Sequence, residues 1–177
     1  MGYLHRHFHR HFLSLILLAA VAIFVLSAQS SDAAGRERTF TIKSTVPTIT
    51  YIDLANPGKG AGDRYIFHSR LLRDGRQIGR LHGIKDTIRL DRGTEVVQNL
   101  LTFQFRGNGS IVVAGITRLS SDGRHEAGLI FGRPFERAII GGTGRFKNVT
   151  GTLISTRLDS GNYRQRFEVV FPEVSDD

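Results

Sequence analysis

Histidines are the first residues of this chain whose type and spacing suggest chemistry. Four of them alternate near the start of the chain, at His5, His7, His9 and His11. These four lie in a cationic segment that has the features of a secretion signal, and we expect them to be removed with it. The other three, His68, His82 and His125, do not have the spacing of metal ligands. We therefore predict neither a metal site nor any other cofactor.

A glycine-rich tetrapeptide, Gly141-Gly142-Thr143-Gly144, is the second candidate. It is not a phosphate-binding loop, because no Gly-Lys-Ser/Thr follows at the required spacing. It does not open a helix of a βαβ unit either, as a dinucleotide fingerprint would. We interpret it as a structural motif, a corner where glycines permit backbone angles that other residues avoid. No nucleophile-elbow motif supports Ser-His-Asp catalysis elsewhere in the chain.

The first 33 residues differ in composition from the rest of the chain. A basic start is followed by an apolar run of 14 residues from Leu13 to Leu26 and then by small polar residues. This order is typical of a secretory signal peptide, here residues 1–33, with cleavage between 28 and 34. As a helix the run would span about 21 Å, less than the roughly 30 Å hydrocarbon core. We expect a secreted protein without a stable membrane anchor after cleavage, and a mature domain at 34–177.

Charge and cysteine content limit the class of protein. The formal net charge is +8, and the chain contains no cysteine. The arginines are spread singly rather than clustered, and aromatic residues do not alternate with them as in nucleic-acid-binding surfaces. We therefore interpret the charge as a solvated basic surface and predict no nucleic-acid partner. A mature domain of about 145 residues is long enough to bury a core without disulfide bonds.

From Thr39 onward the chain alternates between strands and glycine-containing turns. Period-two alternation is clearest where one face would carry Val97, Asn99, Leu101, Phe103 and Phe105. We predict eight strands, the first bent at Pro47, at 39–54, 63–72, 77–90, 95–106, 110–119, 125–140, 149–158 and 163–171. The fold class is all-β, and strands of this number and length form a sandwich or a closed antiparallel barrel. Eight strands give a barrel interior that holds packed side chains or one small ligand.

Two motifs resemble one known superfamily of eight-stranded barrels. The segment from Gly62 to Phe67, followed by Gly83-Ile84, resembles the early strands of the allene oxide cyclases. The glycine motif with Phe146 is similar to the Gly-Gly-Thr-Gly-x-Phe signature of dirigent proteins. The resemblance covers residues 51–171. It implies a closed eight-stranded antiparallel barrel and assembly as a homotrimer.

The resemblance also indicates where a site would lie. It implies inward-facing positions for Ser69 and Lys85, where the cyclases carry other polar residues, and an acidic residue, Asp53, on the first strand. We predict that Asp53 and Lys85 meet inside the barrel as catalytic residues. The substrate would be held by these together with Tyr51, Phe67, Ser69 and Asn99. The alternative for Asp53 and Lys85 is a solvated position near the barrel mouth, and for Asn99 it is a structural amide.

The families on which the resemblance rests share one mode of action, the orientation of a reactive small molecule in an apolar lumen. We expect this protein to bind a small apolar or phenolic molecule and to direct its cyclisation, isomerisation or stereoselective coupling. The alternatives are a non-catalytic carrier or extracellular interaction protein with the same lumen, and a structural protein whose barrel is packed solid. Whether the protein is an enzyme stays open at this point.

Overall fold

A computed structural model describes residues 35–54, 57–91, 94–120 and 130–172. The predicted signal peptide at 1–33 lies outside these residues, and so does the region of its cleavage. Within the described ranges, no helix has the length and apolar character needed to span a bilayer.

The described residues form nine strands and one short 3-10 helix at Gly144–Phe146. In chain order the strands are β1 Arg36–Ser44, β2 Thr48–Ile52, β3 Arg64–Arg73, β4 Arg76–Asp91, β5 Thr94–Phe105, β6 Gly109–Ser120, β7 Pro134–Gly142, β8 Thr150–Arg157 and β9 Tyr163–Phe171.

Eight of these strands close into an antiparallel barrel, as the sequence predicted. From β3 to β9 each strand pairs with the next along the chain, and β9 pairs with β1. The ring closes where Lys43 and Ser44 of β1 pair with Leu72 and Leu71 of β3. The β1–β3 contact is limited to these two residue pairs, so the first part of β1 pairs with β9 alone.

The predicted first strand, 39–54, is in fact two strands. β1 ends at Ser44, and β2 begins at Thr48 and pairs with the first half of β3 as an additional ninth strand. The interruption contains Pro47, which has no N–H for a ladder hydrogen bond and whose φ is fixed by its ring. The bend expected at Pro47 is therefore a break in the strand.

Alternate residues of the barrel strands point inward, and the interior differs between its two ends. The end where β1 begins and β9 ends is filled by phenylalanines, which we call the aromatic half. Phe103 and Phe167 are fully buried there, with ring centroids 5.0 Å apart and edge-to-face geometry. The opposite end, the polar half, buries mostly hydrophilic side chains: Ser44, Ser69, Lys85, Thr87, Glu95, Asn99, Thr117, Arg137, Ser155 and Gln165.

The glycine motif lies where β7 ends and the chain turns into the 3-10 helix. Gly144 has φ +59°, in the left-handed region that favours glycine. A Cβ on Gly142 would collide with the backbone oxygens of Phe146 and Ser110. Thr143 joins this corner to β6, since its backbone N–H donates to the Ser110 oxygen at 2.8 Å. The glycines therefore allow the turn after β7 to pack closely against β6.

Candidate functional site

The polar half of the barrel encloses a small cavity of about 40 Å³. We call it the lumen cavity. Seven barrel strands and the segment from Thr45 to Ile49 form its walls: Ser44, Thr45, Pro47, Ile49, Phe67, Ser69, Leu81, Lys85, Leu101, Arg137, Ser155, Tyr163 and Gln165. Three of the six predicted site residues, Phe67, Ser69 and Lys85, are among them. No acidic side chain is found in this lining, which belongs entirely to described residues.

Lys85 lies on β4, where alternation turns its side chain into the barrel. Only 7% of it is exposed, and its Nζ lies 5.1 Å from the centroid of the Phe67 ring. Burial, and after it the positive charge of Arg137, lowers the pKa of Lys85 from 10.5 to about 7. The carboxylate of Glu95 acts in the opposite direction. A lysine with such a pKa can both give and take a proton near neutral pH.

Arg137 is a second buried cation at the same cavity, on β7. Its two terminal nitrogens donate to Ser155 Oγ at 3.2 Å and to Thr117 Oγ1 at 3.1 Å. The third nitrogen, Nε, is buried without a hydrogen-bond partner. Burial lowers the pKa of Arg137 to about 10. Both partners of this guanidinium are neutral hydroxyls, so its charge is not compensated by the groups that hold it.

Hydroxyl and amide groups extend from Arg137 across the neighbouring strands. Ser155 Oγ donates to Gln165 Oε1 at 2.7 Å, and Gln165 Nε2 donates to Ser44 Oγ at 3.0 Å. Together with the bond from Arg137 to Ser155, these hydrogen bonds connect β7, β8, β9 and β1 inside the barrel. Ser69 Oγ, on the β3 wall of the same cavity, is buried without a partner. These groups fix Arg137 in orientation and leave a hydroxyl available to a ligand.

Asn99 is buried next to this network but does not line the cavity. Its Nδ2 donates to Thr117 Oγ1 at 2.9 Å and also reaches the backbone oxygens of Val97 and Gly115. Its Oδ1 is buried without a partner. Asn99 and Arg137 therefore share Thr117 as an acceptor, which makes Asn99 a support of the cationic wall in this structure.

Asp53 lies elsewhere, and the predicted meeting of Asp53 with Lys85 inside the barrel is not what the structure shows. Asp53 is exposed, and its carboxylate accepts a hydrogen bond from the Gly58 backbone N–H at 2.9 Å. The reason is that β2 ends at Ile52, so Asp53 begins the following loop instead of facing inward from a barrel strand.

Tyr51 is also outside the cavity, on the added strand β2. Its hydroxyl donates to Asp63 Oδ2 at 2.6 Å, and this bond raises the pKa of Tyr51 to about 12. Asp63 is almost fully buried and also accepts from the backbone N–H groups of Leu54 and Gly60. The carboxylate thereby ties β2 and the loop after it to the start of β3.

Two charged residues of the interior were not singled out from the sequence. Arg137 lines the lumen cavity, and Glu95 is buried on β5, where it accepts from Tyr65 Oη at 3.2 Å and from Thr87 Oγ1. Burial and this carboxylate raise the pKa of Tyr65. Both could have been found from the period-two pattern of the sequence. Glu95 lies two residues before Val97, and Arg137 lies two residues before Ile139, so each shares an inward-facing strand side with an apolar residue. A charge in such a register is expensive to bury and marks a site candidate.

The arrangement can stabilise negative charge on an oxygen atom. Two cations point at one cavity whose other polar groups are hydroxyls and amides. In such an enclosed place, donors fixed in advance are worth more than in water. Lys85, with its pKa near 7, adds the capacity for proton transfer to or from the same oxygen.

Solved structures with this barrel fold include proteins that act on small molecules. A pyocyanin demethylase superposes with a TM-score of 0.62 at 23% sequence identity, covering 75% of this chain and all of that one. The dirigent protein PsPTS1, a pterocarpan synthase, gives 0.55 at 18% identity, with 79% and 97% covered. The Diels-Alderase AbmU of Streptomyces koyangensis gives 0.57 at 18% identity, with 89% and 76% covered.

These similarities confirm the barrel type that the sequence motifs indicated. At such identities they show the fold alone. No protein-family model matches the sequence, and no curated protein matches it either.

Proposed function

We propose that this protein is a secreted barrel that binds a small phenolic or other acidic molecule in its lumen and directs the cyclisation, isomerisation or coupling of that molecule. The single observation that carries the proposal is the pair Lys85 and Arg137, two buried cations at one cavity without an acidic lining residue. The Diels-Alderase and the pterocarpan-forming dirigent protein, whose barrels are similar, support the reaction class.

The charge of the cavity selects the ligand. Burying a cation is costly, and both partners of the Arg137 guanidinium are neutral hydroxyls. A ligand that brings an anionic or readily ionised oxygen would therefore gain from Arg137 and from the ammonium form of Lys85 at the same cavity. The apolar lining residues Phe67, Leu81 and Leu101 would contact the carbon skeleton of the same ligand. The combination fits a phenol, an enol or a carboxylic acid with a short apolar body better than a neutral hydrocarbon.

Lys85 would act as the proton-transfer residue, and Arg137 would hold the oxygen. Neutral Lys85 can accept the proton of a phenol or enol, and the ammonium form can return it to carbon or oxygen after ring closure or rearrangement. No co-reactant is needed for such an isomerisation, because the proton that leaves the substrate also returns to it. In a radical coupling the protein would supply orientation only, since the oxidant would come from outside.

The size of the cavity requires one wall to move. A cavity of about 40 Å³ holds little more than water, whereas sites for small organic ligands measure roughly 300–1,000 Å³. The wall formed by Thr45, Pro47 and Ile49 is the best candidate, because β2 pairs with β3 alone. We propose that ligands enter by displacement of this segment.

The test combines binding with stereochemistry. The purified protein is incubated with phenoxy radicals and with short-chain unsaturated epoxy acids, and the enantiomeric excess of each product is measured. We expect an excess for at least one class, which Lys85→Met abolishes and Lys43→Met, the loss of an exposed lysine on β1, preserves. Racemic products from every class would refute directed chemistry.

Native mass spectrometry of the same samples separates the alternative function. A non-catalytic carrier would retain a phenolic or acidic ligand with wild-type Lys85 and still yield racemic products. Two buried donors without hydrogen-bond partners line the cavity, Ser69 Oγ and Arg137 Nε. They support a carrier as much as they support an enzyme, because such donors can hold a ligand whether or not it reacts. Absence of both retention and stereoselection would overturn the lumen as a ligand site.

We also propose that copies of the barrel associate, as the resemblance implied. A row of apolar side chains crosses the outside of four adjacent strands in register, from Ile66 to Ile84, Leu100 and Ala114. Leu100 and the nearby Ile116 are 46% and 59% exposed. Contiguous apolar surface of this kind commonly marks an interface between protein chains. A homotrimer built on this row remains our expectation for the assembly.

A further inference from the structure

A second concave surface lies at the aromatic end of the barrel, separate from the lumen cavity. It is an open cleft of about 750 Å³, which we call the arginine cleft. Its charged residues are four exposed arginines from four different parts of the chain: Arg38, Arg73, Arg106 and Arg145. Its volume is within the range of sites for small organic ligands.

The floor of the arginine cleft is aromatic. Phe40, Phe105, Phe146 and Phe171 all line it, and three of them are only partly buried. Phe105 and Phe146 lie 5.1 Å apart, and Phe146 and Phe171 lie 6.3 Å apart, measured between ring centroids. The cleft thus offers ring faces and edges to a ligand.

The arginines surround this floor. Within the part of the chain that the structure describes, no Asp or Glu lines the cleft. The Arg38 guanidinium lies 5.7 Å from the Phe171 ring centroid and that of Arg73 lies 5.8 Å from Phe40. Arg145 donates to the neutral Asn108 Oδ1 at 3.0 Å. Because a concave surface with one sign of charge concentrates its potential, the cleft attracts anions.

The arginine cleft does not communicate with the lumen cavity. Phe103 and Phe167, both fully buried, lie between the two, and Phe167 stacks on Phe40 with centroids 4.8 Å apart. No residue lines both the lumen cavity and the arginine cleft. A ligand of the cleft would therefore bind independently of whatever the lumen holds.

From these observations we infer that the arginine cleft is a second binding site, for an organic anion whose aromatic body packs on the phenylalanine floor. Its carboxylate or sulfonate group would be bound by guanidinium groups, whose planar donors fit such anions in a bidentate manner. The inference does not depend on the chemistry proposed for the lumen.

The probe for the test is 8-anilinonaphthalene-1-sulfonate, an aromatic sulfonate whose fluorescence rises in apolar surroundings. We expect saturable binding that weakens with added salt and is displaced by 1-naphthoate but not by the neutral 1-naphthalenemethanol. The double variant Arg73→Gln/Arg106→Gln should lower the affinity about tenfold or more, the equivalent of about 1.4 kcal/mol. Both residues are exposed, so we expect the variant to fold, and its melting temperature checks this.

Two controls make the result decisive. Arg118→Gln/Arg164→Gln removes two exposed arginines outside both cavities and makes the same change in net charge. Lys85→Met alters the lumen alone. The inference holds if both controls keep the wild-type affinity. If the Arg118/Arg164 variant loses as much affinity for the probe as the cleft variant, the effect is one of overall charge. If Lys85→Met loses affinity and the cleft variant keeps it, the probe binds in the lumen. Either result overturns the inference.

Discussion

Replacing Lys85 by methionine should change how the stability of the protein depends on pH. Methionine has a similar length and no charge, so it fills the same space on β4 while removing the buried ammonium group. In the wild type the pKa of Lys85 falls from 10.5 in the unfolded chain to about 7 in the folded one. Between these values the unfolded chain binds the proton and the folded barrel does not. Stability attributable to Lys85 must therefore rise with pH across this window.

The magnitude follows from the size of the pKa change. One pKa unit corresponds to about 1.4 kcal/mol, so the full window from pH 7 to 10.5 amounts to about 5 kcal/mol as an upper limit. Measured only between pH 7 and 9, the free energy of unfolding of the wild type should gain roughly 2 to 3 kcal/mol relative to Lys85→Met. Below pH 7 the difference between the two proteins should become constant, because Lys85 is then protonated in both states.

Urea unfolding followed by circular dichroism at several pH values measures this difference directly. Urea is preferred to guanidinium chloride because it does not screen charges. The groups that act on Lys85 are Arg137, Arg157 and Glu95, and all three are kept in both proteins. Lys43→Met serves as the control for removal of one exposed positive charge. Parallel pH profiles for wild type and Lys85→Met would refute the argument that burial lowers the pKa of this lysine.

Three further predictions test the structure around the site. Gly83→Ala should lower the free energy of unfolding, measured in urea, by about 1–3 kcal/mol, because a Cβ there collides with the Phe67 ring. Adding Phe67→Leu should recover part of this loss. An unchanged stability of Gly83→Ala would contradict the close packing of Gly83 on Phe67. Asp63→Asn should lower the pKa of Tyr51 from about 12 toward 10, seen by ultraviolet titration of the phenol, since the Asp63 carboxylate is the main cause of the raised value. Leu100→Glu places a charge in the exposed apolar row and should reduce the mass found by light scattering to that of a monomer; an assembly that tolerates the charge must use another surface.

The sequence could predict the barrel because period two and glycine turns are local properties. The inward register of β5, from Val97 to Phe105, follows from alternation alone, and the structure buries every second residue as expected. Strand closure could not be read from any one segment. It was predicted from two motifs, Gly62–Phe67 and Gly141–Phe146, because their resemblance to known barrels favoured a barrel over a sandwich.

The positions of the candidate residues were predicted only in part. Lys85, Ser69 and Phe67 do line one cavity, because their strands belong to the ring and alternation fixes which side they face. Asp53 does not face inward as predicted, because the first predicted strand is interrupted at Pro47 and its second part, β2, ends at Ile52, where a loop begins.

By itself the sequence determined which faces of the strands are apolar, where the chain turns and that the fold must hold together without a disulfide bond. These depend on neighbours within a few residues. Only the tertiary structure decided that Arg137 and Lys85 line one cavity and that four arginines from distant segments surround one aromatic floor. The reason is physical: charges act on each other through space, and the distance between residues 85 and 137 is set by the closure of the barrel.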